Sequence, residues 1–344
     1  MARSPVRDGF VERQHFADAT AALWLEGELV HVEDLVLHDA HMDIRTPTHE
    51  LTRAHAVLRA RRKILSNKSN WALGRDGFLA LTGRGASDVE GQKSREGEGV
   101  FAPERDIDEP VESGEPDLLA EEFAEIDNLL ARSSKILSGA EVPARKEETS
   151  LRDRPGLVYD LDWNEEDRLA EWQAVLAETR ELPSVLRAAI LLEAWTEIEV
   201  LQHAAWLGPL FCAALLRQEG LAGHHLACLH RGAKNIPRER RRARSRGDRL
   251  LAFVDAIHEA AYAGLKEHDR LVLAKTQMER RLRHRRASSK LPDLVELVLS
   301  RPLVSTGMIQ DRLKVSKQGA LNLVGELSLR EMTGRGRFRA WGIV

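Results

Sequence analysis

Near the C-terminus, Lys317, Gln318, Leu321 and Asn322 fall within a span of six residues. Together they suit a surface that displays donors, acceptors and methyl groups in a fixed pattern. Gln and Asn can each make a paired contact to adenine, Lys fits a guanine edge or a phosphate, and Leu can meet a thymine methyl. Gln318 and Asn322 are four apart, so on a helix they share one face. Further on, Arg335, Arg337 and Arg339 alternate with Gly334, Gly336 and Phe338. Glycine-flanked arginines at a turn are suited to phosphate pairing or to a minor groove.

Such side chains need a frame. Leu294, Leu297 and Val298 recur at helical spacing, and Arg301-Pro302 ends that helix. Ser305 can cap a short helix from Thr306 to Leu313 with Ile309 and Leu313 inward. Lys314-Val315-Ser316 reads as a tight turn, and Ser316 can cap a helix from Lys317 to about Ser328. Its inner stripe is Ala320, Leu323, Val324 and Leu327, with small Ala320 where two helices cross. That rotation turns Lys317, Gln318, Leu321, Asn322 and Gly325 outward. Two short strands, within Leu329–Thr333 and Arg337–Ile343, are joined by the glycine turn. Alternation puts Phe338 and Ala340 on one side of the last strand and Arg337, Arg339 and Trp341 on the other, so at least one aromatic must pack against the helices through twist or a bulge. The expectation for 289–344 is a winged helix-turn-helix that binds double-stranded DNA.

Charge supports that placement. The 344 residues carry a formal net charge of -3, but fifteen acids between Asp88 and Asp127 face three bases, whereas thirteen Lys and Arg from Arg281 onward face five acids. An acidic middle and a basic end are what a nucleic-acid-binding terminal domain requires. The N-terminus lacks the apolar stretch of a secretory signal. The longest uncharged run, Val200 to Leu216, contains Gln202, His203 and Pro209 and reads as a buried helix pair. Cys212 and Cys228 lack metal-ligand spacing and read as reduced thiols. A cytoplasmic, nucleoid-associated protein without membrane contact is expected.

The rest of the chain reads as mostly α. Residues 1–82 form a mainly helical region, 83–115 an acidic flexible loop or linker, and 116–288 a helical core domain. A helix runs from about Gln14 to Leu25, after which Leu23–Leu37 fits either a small hairpin or a helix-turn around Gly27. Thr48 can cap a helix to about Ile64. An apolar stripe from Leu118 to Leu130 predicts a helix ending near Leu137, before a polar break from Ser138 to Pro155. Asn164 caps a helix with Leu169, Trp172, Val175 and Leu176 inward, and Pro183 opens the next. Pro209 marks a helix start or a kink. Trp195 and Trp206 fill the core, where their ring nitrogens need acceptors. One helix is expected from Leu250 to about Leu265, and another from His268 or Asp269 to Arg286. The basic run from Arg231 to Arg249, with Arg240, Arg241, Arg242 and Arg244 at its centre, suits a supplementary contact to DNA phosphates.

Other chemistry is weaker. His31, Asp34, His38, Asp39, His41 and Asp43 have types that ligate zinc or manganese, but no partner ligands are identifiable elsewhere, and the reading is of capping and loop residues with no metal and no cofactor. His203 reads as a histidine satisfied within a helical core rather than a general base, and His224-His225 as loop surface.

Leu23-Trp-Leu-Glu-Gly-Glu-Leu-Val, Val36 to Pro47, Ala205-Trp206-Leu207-Gly208 and Ser289 to Ile343 resemble a family found mainly in rhizobia and their relatives, often on plasmids. In that family an N-terminal domain of unknown function is joined to a C-terminal helix-turn-helix. The resemblance covers nearly the whole chain and implies DNA binding and regulation, with no established ligand or catalytic residue. Ser328 stands where such proteins more often carry glycine. Leu182 to Gly220 is also similar in layout to the helical core of Fic-like AMP transferases. There His203 matches the family histidine, but the Pro-Phe, the acidic residue and the Asn-Gly-Arg loop are absent from Leu201–Pro209. Without that loop a nucleotide's phosphates lack their donors.

The expected protein is therefore a sequence-specific DNA-binding transcriptional or plasmid-associated regulator and not an enzyme. Its helical body makes a homodimer, leaves the winged ends free and takes an unknown small-molecule or protein effector. The second reading is an enzyme related to the AMP transferases, inactive for want of its phosphate loop.

Overall fold

Four side chains start helices where the sequence places them. Thr48 accepts from the backbone N–H of Leu51, Asn164 from Glu166 and Asp167, Ser305 from Met308, and Ser316 from Gly319, at 3.1–3.3 Å. Each satisfies a first-turn donor that has no partner within its helix. The computed structural model describes residues 3–43, 46–83, 163–282, 289–333 and 339–343. All of them lie in one contact unit, 1–91 with 159–344. The expected acidic linker beyond Gly83, the helix ending near Leu137 and the break to Pro155 lie outside the described residues.

The helices are α1 (Arg7–Leu25), α2 (Val32–Asp39), α3 (His49–Ser66), α4 (Arg75–Leu81), α5 (Glu165–Glu178), α6 (Ser184–Ile198), α7 (Leu207–Gln218), α8 (Leu229–Lys234), α9 (Arg238–Arg241) and α10 (Arg246–Leu282). The C-terminal end adds α11 (Leu291–Ser300), β1 (Val304–Ser305), α12 (Thr306–Leu313), α13 (Lys317–Leu327), β2 (Arg330–Glu331) and β3 (Ala340–Gly342). The strands form one antiparallel sheet in the order β1-β3-β2, with Val304 opposite Trp341 and Arg330 opposite Gly342.

Several expectations change. The first helix begins at Arg7 rather than near Gln14. Leu23–Leu37 is a helix-turn, not a hairpin, reversing at Gly27 with φ +89°. Val200–Leu216 yields one helix, because Glu199 ends α6 in the left-handed region (φ 50°) and α7 starts only at Leu207. Pro209 thus sits in the first turn of α7, where its missing N–H costs nothing. His203 is exposed on the preceding loop, not held in a core. Of the two loop histidines, His224 is exposed and His225 is half-buried. The two expected helices after Leu250 are one 37-residue helix, α10. The polar stretch around His268 interrupts the apolar stripe but holds no breaker, and Arg270 pairs with Glu267 one turn back.

The core gathers Phe78, Trp172, Trp195 and Phe211, with ring centroids 4.5–5.8 Å apart. The Trp172 and Trp195 ring nitrogens donate to the carbonyls of Leu191 and Ala205, both at 3.0 Å. Trp206 is only half-buried. Gly208 allows α7 to lie against α6, since a Cβ there would come 2.3 Å from the Trp195 ring. Beneath the aromatics runs a polar centre that the sequence reading missed. Asp18 and Arg61 are wholly buried as an ion pair. His230 contacts Asp18 at 2.9 Å, and the backbone N–H of Arg231 donates to Asp18 at 3.0 Å. Burial pushes the Asp18 carboxyl up, but Arg61, His230 and the Arg231 N–H outweigh it and hold it at about 2. Full pairing is what makes such burial tolerable.

Candidate nucleic-acid interface

The rotation of α13 is set by packing. Ala320, Val324 and Leu327 are buried, with Ala320 wholly enclosed. Leu323 lies on the margin of that stripe and is half-buried, not inward as expected. The link from α12 is closed by Lys314 at φ 53° and ψ 53°, and α13 ends at Ser328 at φ 51° and ψ 45°. Both are left-handed conformations that a Cβ disfavours. Ser328 thus takes a conformation natural to glycine at the turn into β2.

Lys317, Gln318, Asn322 and Gly325 are exposed, as the pattern requires. Leu321 is half-buried rather than outward, packed along the edge of the core. Gln318 Nε2 donates to Asn322 Oδ1 at 3.0 Å. That bond joins the two amides without using the Gln318 carbonyl or the Asn322 amide N–H groups. β1 is a third strand that the sequence reading did not include. It brings Val304 onto β3 and buries Ala340 and Trp341 together. Trp341 turns inward, and Phe338 lies outside the described residues. Arg339 is exposed, bonded to Glu331 at 2.7 and 3.0 Å, with its guanidinium 5.4 Å from the Trp341 ring centroid. Arg335 and Arg337 lie outside the described residues.

This unit is fastened to the helical body at several points. Arg13 of α1 donates to the carbonyls of Val298 and Leu299 at 2.8 Å each, satisfying acceptors at the end of α11. Gly9 makes the approach feasible, because a Cβ there would lie 2.7 Å from the Leu299 oxygen. Asp39 accepts from Arg62 and from Arg301, each at 2.6 Å, and so ties α2 and α3 to the residue after α11. Burial raises the Asp39 carboxyl, but those arginines outweigh it and hold it at about 2. Arg270 of α10 donates to the Ile343 carbonyl at 2.8 Å, and Arg281 donates to that of Leu327.

The other candidates are dispersed. His38 bonds to Asp43 at 2.9 Å, and Asp39 is turned to arginines, so those ligand types serve local structure. Among the described residues, no three His, Cys, Asp or Glu converge as metal ligands. Cys212 and Cys228 are free and buried, and burial raises both thiols, Cys228 to about 12. Arg240 pairs with Asp255 at 2.7 Å. Arg241 is half-buried and donates to the Ile236 carbonyl, whereas Arg242 and Arg244 are exposed. No described helix is long and apolar enough to cross a membrane.

Residues 291–344 match the family described as an HTH DNA binding domain. Residues 157–283 match the family described as protein of unknown function, DUF1612. Over 352 aligned residues, covering 100% of this chain and 92% of the relative, the chain is 51% identical to the uncharacterized protein y4cF of Sinorhizobium fredii (strain NBRC 101917 / NGR234). The family resemblance visible at Leu23–Val30 and Ser289–Ile343 is therefore a true kinship. The chain belongs to the family of that rhizobial protein, in which a DUF1612 region precedes a C-terminal helix-turn-helix DNA-binding domain.

Proposed function

We propose that the protein is a sequence-specific double-stranded DNA-binding regulator of transcription or plasmid maintenance, acting in the cytoplasm. The observation that carries this reading is the exposed, hydrogen-bonded Gln318–Asn322 pair on a helix whose rotation is fixed by Ala320, Val324 and Leu327. In the reading, α13 enters a major groove, Lys317, Gln318, Leu321 and Asn322 meet base edges, and Arg335, Arg337 and Arg339 contact the backbone. Arg240, Arg241, Arg242 and Arg244 add a supplementary phosphate contact.

The same reading makes the protein a homodimer through its body, with both winged ends open to DNA. Exposed Leu251, Tyr262 and Leu273 support this, since they recur every eleven residues along one face of α10. Two half-sites are a common route to useful specificity. The body senses an effector and transfers no AMP, in keeping with the missing phosphate loop. Selection of bound fragments from a random duplex pool tests the reading. A shared motif of paired half-sites supports it; recovery of unrelated sequences with no motif contradicts it.

A further inference from the structure

The helical body holds a cavity of about 490 Å³ between α1, α10 and the turn that follows α7. Its lining is apolar, including Phe10, Leu216, Leu226 and Ile257, and contains no Asp, Glu, Lys or Arg. Gln14, His225, Cys228 and His268 interrupt that lining, and two of them carry unpartnered polar atoms. Gln14 is almost wholly buried; its Oε1 accepts from the Cys228 thiol at 2.8 Å, which leaves Nε2 as a buried donor without a partner. His225 Nδ1 is likewise buried and unpartnered. Burial, with Arg61 nearby, pushes the His225 pKa down and favours the neutral ring. A buried donor without an acceptor is destabilising, so its presence in the wall of a cavity of ligand size needs a reason.

The walls of this cavity are also the clamps on the DNA-binding end. On α1, Phe10 and Gln14 line the cavity, and the adjoining residues Gly9 and Arg13 hold α11. On α10, Leu265 and His268 line it, and Arg270 holds the end of β3 through Ile343. Glu267 joins the two walls, lying 2.7 Å from Arg270 and 3.9 Å from Arg13.

We propose that this cavity receives an uncharged, mainly aliphatic small molecule bearing an amide or ester carbonyl. The carbonyl accepts from Gln14 Nε2, a second polar atom of the ligand meets His225 Nδ1, and the chain of the ligand lies among the leucines. Occupancy shifts α1 against α10 and so alters DNA affinity. That second step rests on the regulator reading above.

Octanamide is a suitable probe, with octanoate as its charged counterpart, titrated calorimetrically into the full-length chain. Octanamide should saturate one site per chain, and octanoate should bind at least about tenfold more weakly, since no Lys or Arg lines the cavity. Gln14→Leu should weaken octanamide up to about tenfold, as loss of one neutral hydrogen bond does. A Cβ on Gly264 meets nothing nearer than the Phe10 ring at 3.8 Å, so Gly264→Leu should fold and abolish binding by filling the cavity. Octanamide should also change affinity for the selected duplex at least threefold, and duplex should change octanamide affinity by the same factor. No saturable octanamide binding, or binding unchanged in both variants, overturns the site. Saturable binding that leaves duplex affinity unchanged overturns the coupling. DNA affinity without octanamide judges the regulator reading separately.

Discussion

At Ser328 the backbone holds a left-handed conformation that a glycine would adopt without strain, with φ 51° and ψ 45° at the end of α13. Ser328→Gly should raise the unfolding free energy by about 0.5–1 kcal/mol, the left-handed penalty less the added freedom of the unfolded chain. Urea denaturation measures it, and a loss of stability would show that the serine is held there by something other than chain geometry. Asp18 and Asp39 set the acid limit. Both carboxyls sit near 2 in the folded chain, below the ordinary value of about 3.9. Their contribution is complete above pH ~4 and is lost as pH falls towards ~2. Stability measured across that window should fall less steeply in Asp39→Asn; an unchanged slope would mean that the arginine cluster contributes nothing. At this scale the caps were legible, because Thr48, Asn164, Ser305 and Ser316 act on backbone within three residues. The Asp18–Arg61 pair was not, because its partners lie 43 residues apart in sequence and no periodicity marks them.

Among elements, the close approach of α1 to α11 governs how the DNA-binding end is held. Gly9→Ala would place a Cβ 2.7 Å from the Leu299 carbonyl oxygen. It should cost about 1–3 kcal/mol of stability and make the C-terminal end more susceptible to limited proteolysis. Wild-type stability and protection in this variant would refute the contact. The helix-turn-helix was readable because its apolar stripe and caps are local and agree with each other. The wing was half readable: β2 and β3 flank Gly334 and Gly336 in sequence, whereas β1 has only Val304 and Ser305 and exists through pairing with β3. The length of α10 was misread for a different reason. An apolar stripe reports burial, and around His268 the helix continues where burial lapses. Leu321 and Leu323 exchange their expected roles in part, both half-buried, because a helix packed on a small domain has a graded edge rather than two faces.

Across the molecule, α10 connects two basic regions. From Asp255, which holds Arg240, to buried Met278, between Lys275, paired with Glu296, and Arg281, which donates to Leu327, α10 rises roughly 35 Å at about 1.5 Å per residue. That length is close to one turn of duplex, which suits a second phosphate contact remote from α13. Charge segregation along the sequence indicated a basic end; it gave no hint that the end is locked to α1, α2 and α10 by arginines. The central claim is that α13 reads bases and the wing arginines hold the backbone. Its most direct test is a set of titrations of Asn322→Ala and Arg335→Ala against the selected duplex and a scrambled one at several salt concentrations. Asn322→Ala should lose about 1–3 kcal/mol of discrimination at one or two base pairs with scrambled binding little changed, and Arg335→Ala should weaken both duplexes by similar factors and reduce the salt slope by about one. Equal loss on both duplexes for Asn322→Ala, with loss confined to the selected duplex for Arg335→Ala, would contradict the account.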